Sequence, residues 1–181
     1  MKKTFICSII MAAATSFGSK AQEQVGSSFN EDLAFLKKHT PIILLQNDNA
    51  GVAIAPDYKG RVMTSTVDIK KGPGFGWINR PVIESGVLPE DQRKGRLEEH
   101  IHIFGGEERF WLGPEGGQYA LFFKPGTSFE FSDWTTPAAI DTDPFEVLEQ
   151  STEKVVFKHQ SELINYSVTR FSMGFERSVT L

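Results

Sequence analysis

The chain has 181 residues, 19 Lys and Arg against 23 Asp and Glu, and an aromatic load of 15 Phe, 3 Trp and 3 Tyr. The net charge of −4 and the lack of a basic stripe exclude the pattern that grips phosphate backbones, so no nucleic-acid partner is expected. The length suits one domain and allows a core of ordinary size.

The first residues have the layout of a secretory signal peptide. Lys2 and Lys3 are followed by Phe5 to Phe17, an apolar or small-residue run interrupted only by Ser and Thr. That run is shorter than the roughly 20 residues a spanning helix needs. Ser19 and Ala21 place small residues three and one positions before a cut at Gln22, so residues 1–21 read as a cleaved leader. The expectation is export to the periplasm or cell exterior, with no transmembrane segment remaining. Cleavage removes Cys7, the single cysteine, and with it any disulfide or thiolate chemistry. Loss of Lys2, Lys3 and Lys20 moves the charge to −7.

Residues 22–41 form an N-terminal segment with one short helix. Ser28 and Glu31 have capping-box spacing, Glu31 and Asp32 sit in the first turn, and Lys37 and Lys38 sit in the last. Leu33 and Leu36 share a face, and Pro41 stops the run. From residue 42 to 181 the pattern is that of strands. Ile42 to Leu45 and Val52 to Ala55 flank a turn-rich Gln46 to Gly51, and Arg61 to Val67 alternates. Further strands are expected at Ile101 to Phe104, Gln118 to Phe123, Ser128 to Phe131, Phe145 to Leu148 and Val155 to His159, with alternation again over Ile164 to Thr169. Gly72-Pro73-Gly74, Gly113-Pro114 and Pro125-Gly126 punctuate them. Many short strands and little helix imply an all-β, antiparallel sandwich or barrel. Phe175 to Leu181 reads as a strand just begun, so the sandwich is expected to be incomplete and the chain to be the front part of a longer protein.

The chemistry concentrates between His100 and Gln118. In an extended chain His100 and His102 share a face, where two imidazoles bind a metal, share a proton or contact a hydroxyl. Glu107, Glu108, Arg109 and Glu115 surround Phe110 and Trp111. Carboxylates and guanidinium groups bind hydroxyls, and an indole covers the apolar face of a pyranose ring. A carbohydrate ligand is the expected partner. His102 with Glu107 or Glu108 supplies the acid and base. Arg109, Trp111, Glu115, His100 and Trp134 are the candidate sugar contacts. No cofactor is expected. A competing reading takes His100, His102 and Glu107 as a divalent-metal set, because Gly95, His100, His102, Glu107 and Gly113 follow the first cupin half-motif. The second half-motif is absent, since no histidine follows Pro125-Gly126 until His159. A third reading is a non-catalytic module or inactive fragment.

Several blocks together resemble a family of secreted bacterial proteins of unassigned function. They are Val52 to Pro56, Gly60 to Ser65, Gly76 to Asn79, Phe104 to Gly117, Phe122-Phe123, Asp133 to Pro137 and Asp141 to Phe145. Gly105-Gly106, Trp111 and Pro114-Glu115 also have the spacing found in galactose mutarotase-like proteins. The resemblance implies their supersandwich fold, shared with aldose 1-epimerases, and a carbohydrate-related role. It does not supply the whole epimerase machinery, because the catalytic glutamate of such enzymes comes from a later half, and His102 is only the nearest counterpart of their catalytic histidine.

Overall fold

A computed structural model describes residues 27–181. The leader assigned to 1–21, with Cys7, lies outside the described residues. The fold is mostly β, built from antiparallel sheets with a few short helices.

The chain enters through α1 (Phe29–His39). Ser28 Oγ accepts from the Glu31 amide, and the Glu31 carboxylate accepts from the Ser28 amide at 2.9 Å, closing the expected capping box. These bonds hold the Glu31 carboxyl below the usual carboxylate range. Next come β1 (Ile43–Asn47), β2 (Ala50–Ala55) and β3 (Arg61–Thr66), an antiparallel sheet in that order. The β1 and β2 strands extend further into Gln46 to Gly51 than its polar composition implies. Asn47 pairs with Ala50, leaving Asp48-Asn49 as a two-residue hairpin turn with Asp48 at φ 48°.

The period-2 alternation gives this sheet two apolar faces. On one face Ala53 packs with Phe29 and Leu33 of α1, and Ala55 and Met63 pack with Leu36, Tyr58 and Phe104. On the other, Ile43, Leu45 and Ile54 meet Phe145, Val155 and Phe157 of a second sheet. That sheet comprises β6 (Glu146–Gln150), β7 (Lys154–Ile164) and β8 (Arg170–Thr180), again antiparallel in that order. Two three-stranded sheets therefore share one core, with α1 outside the first.

Between the sheets in sequence lies a long irregular stretch. It carries β4 (Trp77–Ile78), α2 (Arg80–Ser85), α3 (Glu90–Arg93), β5 (Gly105–Gly106) and α4 (Ala138–Asp141). Here the strand expectations fail at three places. Ile101 to Phe104 has the alternation of a strand without a ladder: Asn79 Nδ2 donates to the Ile103 carbonyl, the Thr136 amide to the His100 carbonyl, and the His102 amide to Asp141. Gln118 to Phe123 and Ser128 to Phe131 form no ladder, apart from a single Phe123–Trp134 bridge, and Tyr119, Phe129 and Phe131 stay exposed. Ala120, Phe122 and Phe123 join Ala139, Ile140 and Leu163 in a separate cluster. The alternation over Ile164 to Thr169 also misled. Asn165 Oδ1 accepts from the Thr169 amide at 2.9 Å and Val168 takes φ 67°, so this stretch is the turn between β7 and β8.

Gly105 has φ +88°, and a Cβ there would lie 2.1 Å from the Trp77 carbonyl oxygen, the strand it pairs with. Gly105→Ala is expected to cost about 2 kcal/mol through backbone strain and lost β4–β5 pairing. An unchanged urea midpoint would refute this.

Candidate functional site

Asp141 is the hub of a buried polar cluster. Pro137 precedes α4, the Asp141 amide donates back to its carbonyl, and the turn presses the carboxylate inward until it is 3% exposed. One oxygen accepts from the His102 amide at 2.9 Å and lies 3.0 Å from His102 Nδ1. The other accepts from Arg109 Nη2 at 2.5 Å. An ionised carboxylate only accepts, so His102 carries its proton on Nδ1 and presents Nε2 as the free nitrogen. His102 is 1% exposed and stacks on Phe104.

Two further cations crowd this centre. Lys59 ends the 3-10 turn Pro56–Tyr58 in the left-handed region, at φ 68°, and is 0% exposed. Burial pulls its amine down to about 8, against the opposing pull of Asp143 and Asp141. Its ammonium stands 5.3 Å from the Phe145 ring centroid. Arg61 opens β3 at 2% exposure, with Nη1 donating to the Gly105 carbonyl at 2.8 Å. Burial first, then the neighbouring Arg109 charge, brings its guanidinium down to about 10. Burial also lowers Arg109, opposed by Asp141.

The residues of Gly105 to Gly117 do not converge on one hollow. The Glu107 carboxylate accepts from Ser65 Oγ, whereas Glu108 accepts from the Val62 amide and from Arg177 Nη2 at 2.7 Å. Arg109 turns to Asp141, and Phe110 enters the core beside Phe145 and Phe175. His102 is thus partnered by Asp141 rather than by Glu107 or Glu108. His100 parts from His102 as well: its Nδ1 lies 2.7 Å from the Trp134 carbonyl oxygen. Among the described residues no three His, Cys, Asp or Glu side chains gather as a metal would require.

The remaining candidates meet elsewhere. Trp111, Phe122, Trp134 and Phe131 follow one another in near-parallel stacks, and His100 leans on Phe131 at 4.4 Å. Arg109 lies over Trp111 at 4.8 Å, and Trp111 Nε1 donates to the Glu115 carboxylate at 2.7 Å. Glu115, Phe123, Phe129, Phe131 and Trp134 line an open hollow of about 360 Å³. Phe131 is 61% exposed there, an unusual position for a bare phenyl ring. Four of the sequence-derived candidates, His100, Trp111, Glu115 and Trp134, therefore belong to this aromatic shelf.

Residues 27–181 match the family of unknown function DUF6786. The chain belongs to that family. No curated protein and no solved structure matches it. In this DUF6786 chain the described residues include no helix long and apolar enough to cross a membrane.

Sequence reasoning missed Lys59, Arg61 and Asp141. The alternation of β3 held a signal for Arg61, since it places Arg61 on the face of the buried Met63. Nothing local marks Lys59 or Asp141, although Asp141 lies in a block that carries the family resemblance.

Proposed function

We propose that this chain is an exported saccharide-binding protein, with the sugar seated on the shelf formed by Trp134, Phe131 and Phe129. The observation that carries this reading is the open hollow walled by solvent-facing aromatic rings with Glu115 at its edge. A pyranose has apolar C–H faces and a rim of hydroxyls. Flat rings cover the first, and a fixed carboxylate accepts hydrogen bonds from the second. Trp111 fixes that carboxylate, so its orientation is set before a ligand arrives.

The leader pattern at residues 1–21 supports export. Two sheets sharing a core, together with the Gly105-Gly106, Trp111 and Pro114-Glu115 spacing, support a mutarotase-like supersandwich. Mutarotase-type turnover has a weaker basis. The His102–Asp141 pair has the orientation of a general acid–base group, but it is sealed from the shelf's solvent side, and Glu107 and Glu108 are bonded elsewhere. Binding without turnover is the function proposed.

Isothermal calorimetry against a panel of neutral mono- and oligosaccharides tests it, with polarimetry for anomer exchange. Trp134→Ala is expected to weaken the best ligand by about 2 kcal/mol, roughly thirtyfold in Kd, as removal of a central aromatic anchor does. No heat with any sugar, or an affinity unchanged in Trp134→Ala, would sink the proposal.

A further inference from the structure

Each of the two three-stranded sheets has two outer strands, and their free edges are treated differently. Along β3 the Val62 carbonyl accepts from the Glu107 amide and the Ser65 carbonyl from the Phe75 amide. Strand β1 has only 5 residues, and its Gln46 amide donates to the Thr152 carbonyl. Strand β6 is equally short and is bulged between Val147 and Glu149. Short strands, bulges and covering segments keep sheet edges from pairing with other chains. Strand β8 has none of these. Its 11 residues, Arg170–Thr180, pair with β7 in unbroken register, and among the described residues their backbone bonds to no other segment.

Successive side chains of β8 take opposite faces. Met173, Phe175 and Val179 pack on the core clusters, whereas Ser172, Glu176 and Ser178 are exposed on the other face. Arg177 interrupts the core face, and its charge is met by Glu108. The core is left open along this edge: Met173, Phe175 and Val179 are only half-buried, and Phe171 is 39% exposed. An apolar hollow of about 220 Å³ lies there, walled by Phe171 and Met173 with Leu112, Tyr119 and Leu121. A segment that adds to this edge must be extended, apolar on one face and polar on the other. Strand β8 itself has that pattern.

Charge selects how a second β8 fits. A copy related by a two-fold axis runs antiparallel, and the apolar faces stay matched only when even positions oppose even and odd oppose odd. Arg170 and Glu176 are both exposed, and neither makes an ion pair among the described residues. Lys158 faces Glu176 from β7 but is bonded to Glu146 at 3.2 Å. With the axis at Met173, Arg170 of each copy lies opposite Glu176 of the other, and Phe171 lies opposite Phe175. Opposite charges and aromatic pairs are favourable across strands, whereas an axis at Glu176 or Arg177 sets like charges face to face. We infer that two copies of this chain pair β8 against β8 about Met173, joining their β6–β7–β8 sheets into one. Phe175 of each copy then stands beside the other's Phe171, at the rim of the apolar hollow.

Sedimentation velocity of the purified full chain over a concentration series tests this. A monomer–dimer equilibrium with a micromolar Kd is expected, as for a small, transient interface. Glu176→Arg and Arg170→Glu each turn both attractive pairs into repulsive ones, and each is expected to weaken dimerisation about tenfold or more. An equimolar mixture of the two variants is expected to regain wild-type association, because every guanidinium then faces a carboxylate again. A wild type that stays monomeric at every concentration overturns the inference. So does a dimer indifferent to either charge reversal, or one that mixing fails to restore, since the contact then lies on another surface or in another register. Both positions are exposed, so both variants are expected to keep a cooperative thermal transition. Should either lose it, the double variant Arg170→Glu/Glu176→Arg restores both pairs within one chain: wild-type association upholds the inference, and a monomer overturns it.

Discussion

Asp141→Ala is expected to destabilise the fold by about 3–5 kcal/mol, the range for removing one partner of a buried ion pair. The side chain is 3% exposed and accepts from a backbone amide, an imidazole and a guanidinium. Deleting it strands all three at once. Domains of this size have about 5–15 kcal/mol in total, so the variant should sit near the edge of folding. Part of the loss comes from the Arg109 charge left behind rather than from the bonds themselves. Arg109→Met in the Asp141→Ala background should therefore recover about 1–2 kcal/mol. Urea unfolding of the wild type and the two variants gives the numbers. A single-variant cost under about 1 kcal/mol would show that water takes over these contacts and that Asp141 is no hub.

Lys59→Met should act in the opposite direction. A buried amine brought from 10.5 to about 8 binds fewer protons in the folded than in the unfolded chain between those two values. Stability then rises with pH across this window, because the unfolded state holds the extra proton. Below pH 8 the full penalty is present, amounting to about 3 kcal/mol for a displacement of this size. The methionine side chain keeps much of the apolar stem and removes the charge. At pH 7 in chloride, Lys59→Met is expected to be about 2–3 kcal/mol more stable than the wild type, the cation–π contact with Phe145 offsetting the remainder. The gap should narrow toward zero by about pH 10. Denaturant melts at pH 7 and pH 9.5 decide it. A variant less stable than the wild type at both values would mean that Lys59 is paid for by contacts other than those seen here.

Much of the scaffold was legible before any coordinates. Ser28 and Glu31 announced α1, and the apolar runs around Asn47 to Asn49 announced the β1–β2 hairpin, because caps, turns and alternation are local properties of a few neighbouring residues. The same logic failed where local pattern and long-range pairing part. His100 to Phe104 alternates like a strand because His102 and Phe104 bury on one side. Its backbone partners come instead from Asn79, Thr136 and Asp141, and nothing within the segment encodes that. Ile164 to Thr169 alternates too, yet Asn165 closes a turn with its own side chain.

The candidate site divides in the same way. Glu107 and Glu108 are adjacent to Arg109 in the chain, but successive side chains point in different directions, and their partners lie on β3 and β8. Trp134 and Glu115 are nineteen positions apart in the chain, and they share a hollow because Phe122 stacks between Trp111 and Trp134. Asp141 reaches His102 across 39 residues and Arg109 across 32. Sequence alone determined an antiparallel, aromatic-rich β protein, with its first helix, its first hairpin and a stretch dense in ionisable and aromatic groups. The tertiary structure alone decided which acid faces which base. Periodicity reports how one segment meets solvent, whereas charge pairing depends on which distant segments the shared core brings within hydrogen-bond reach.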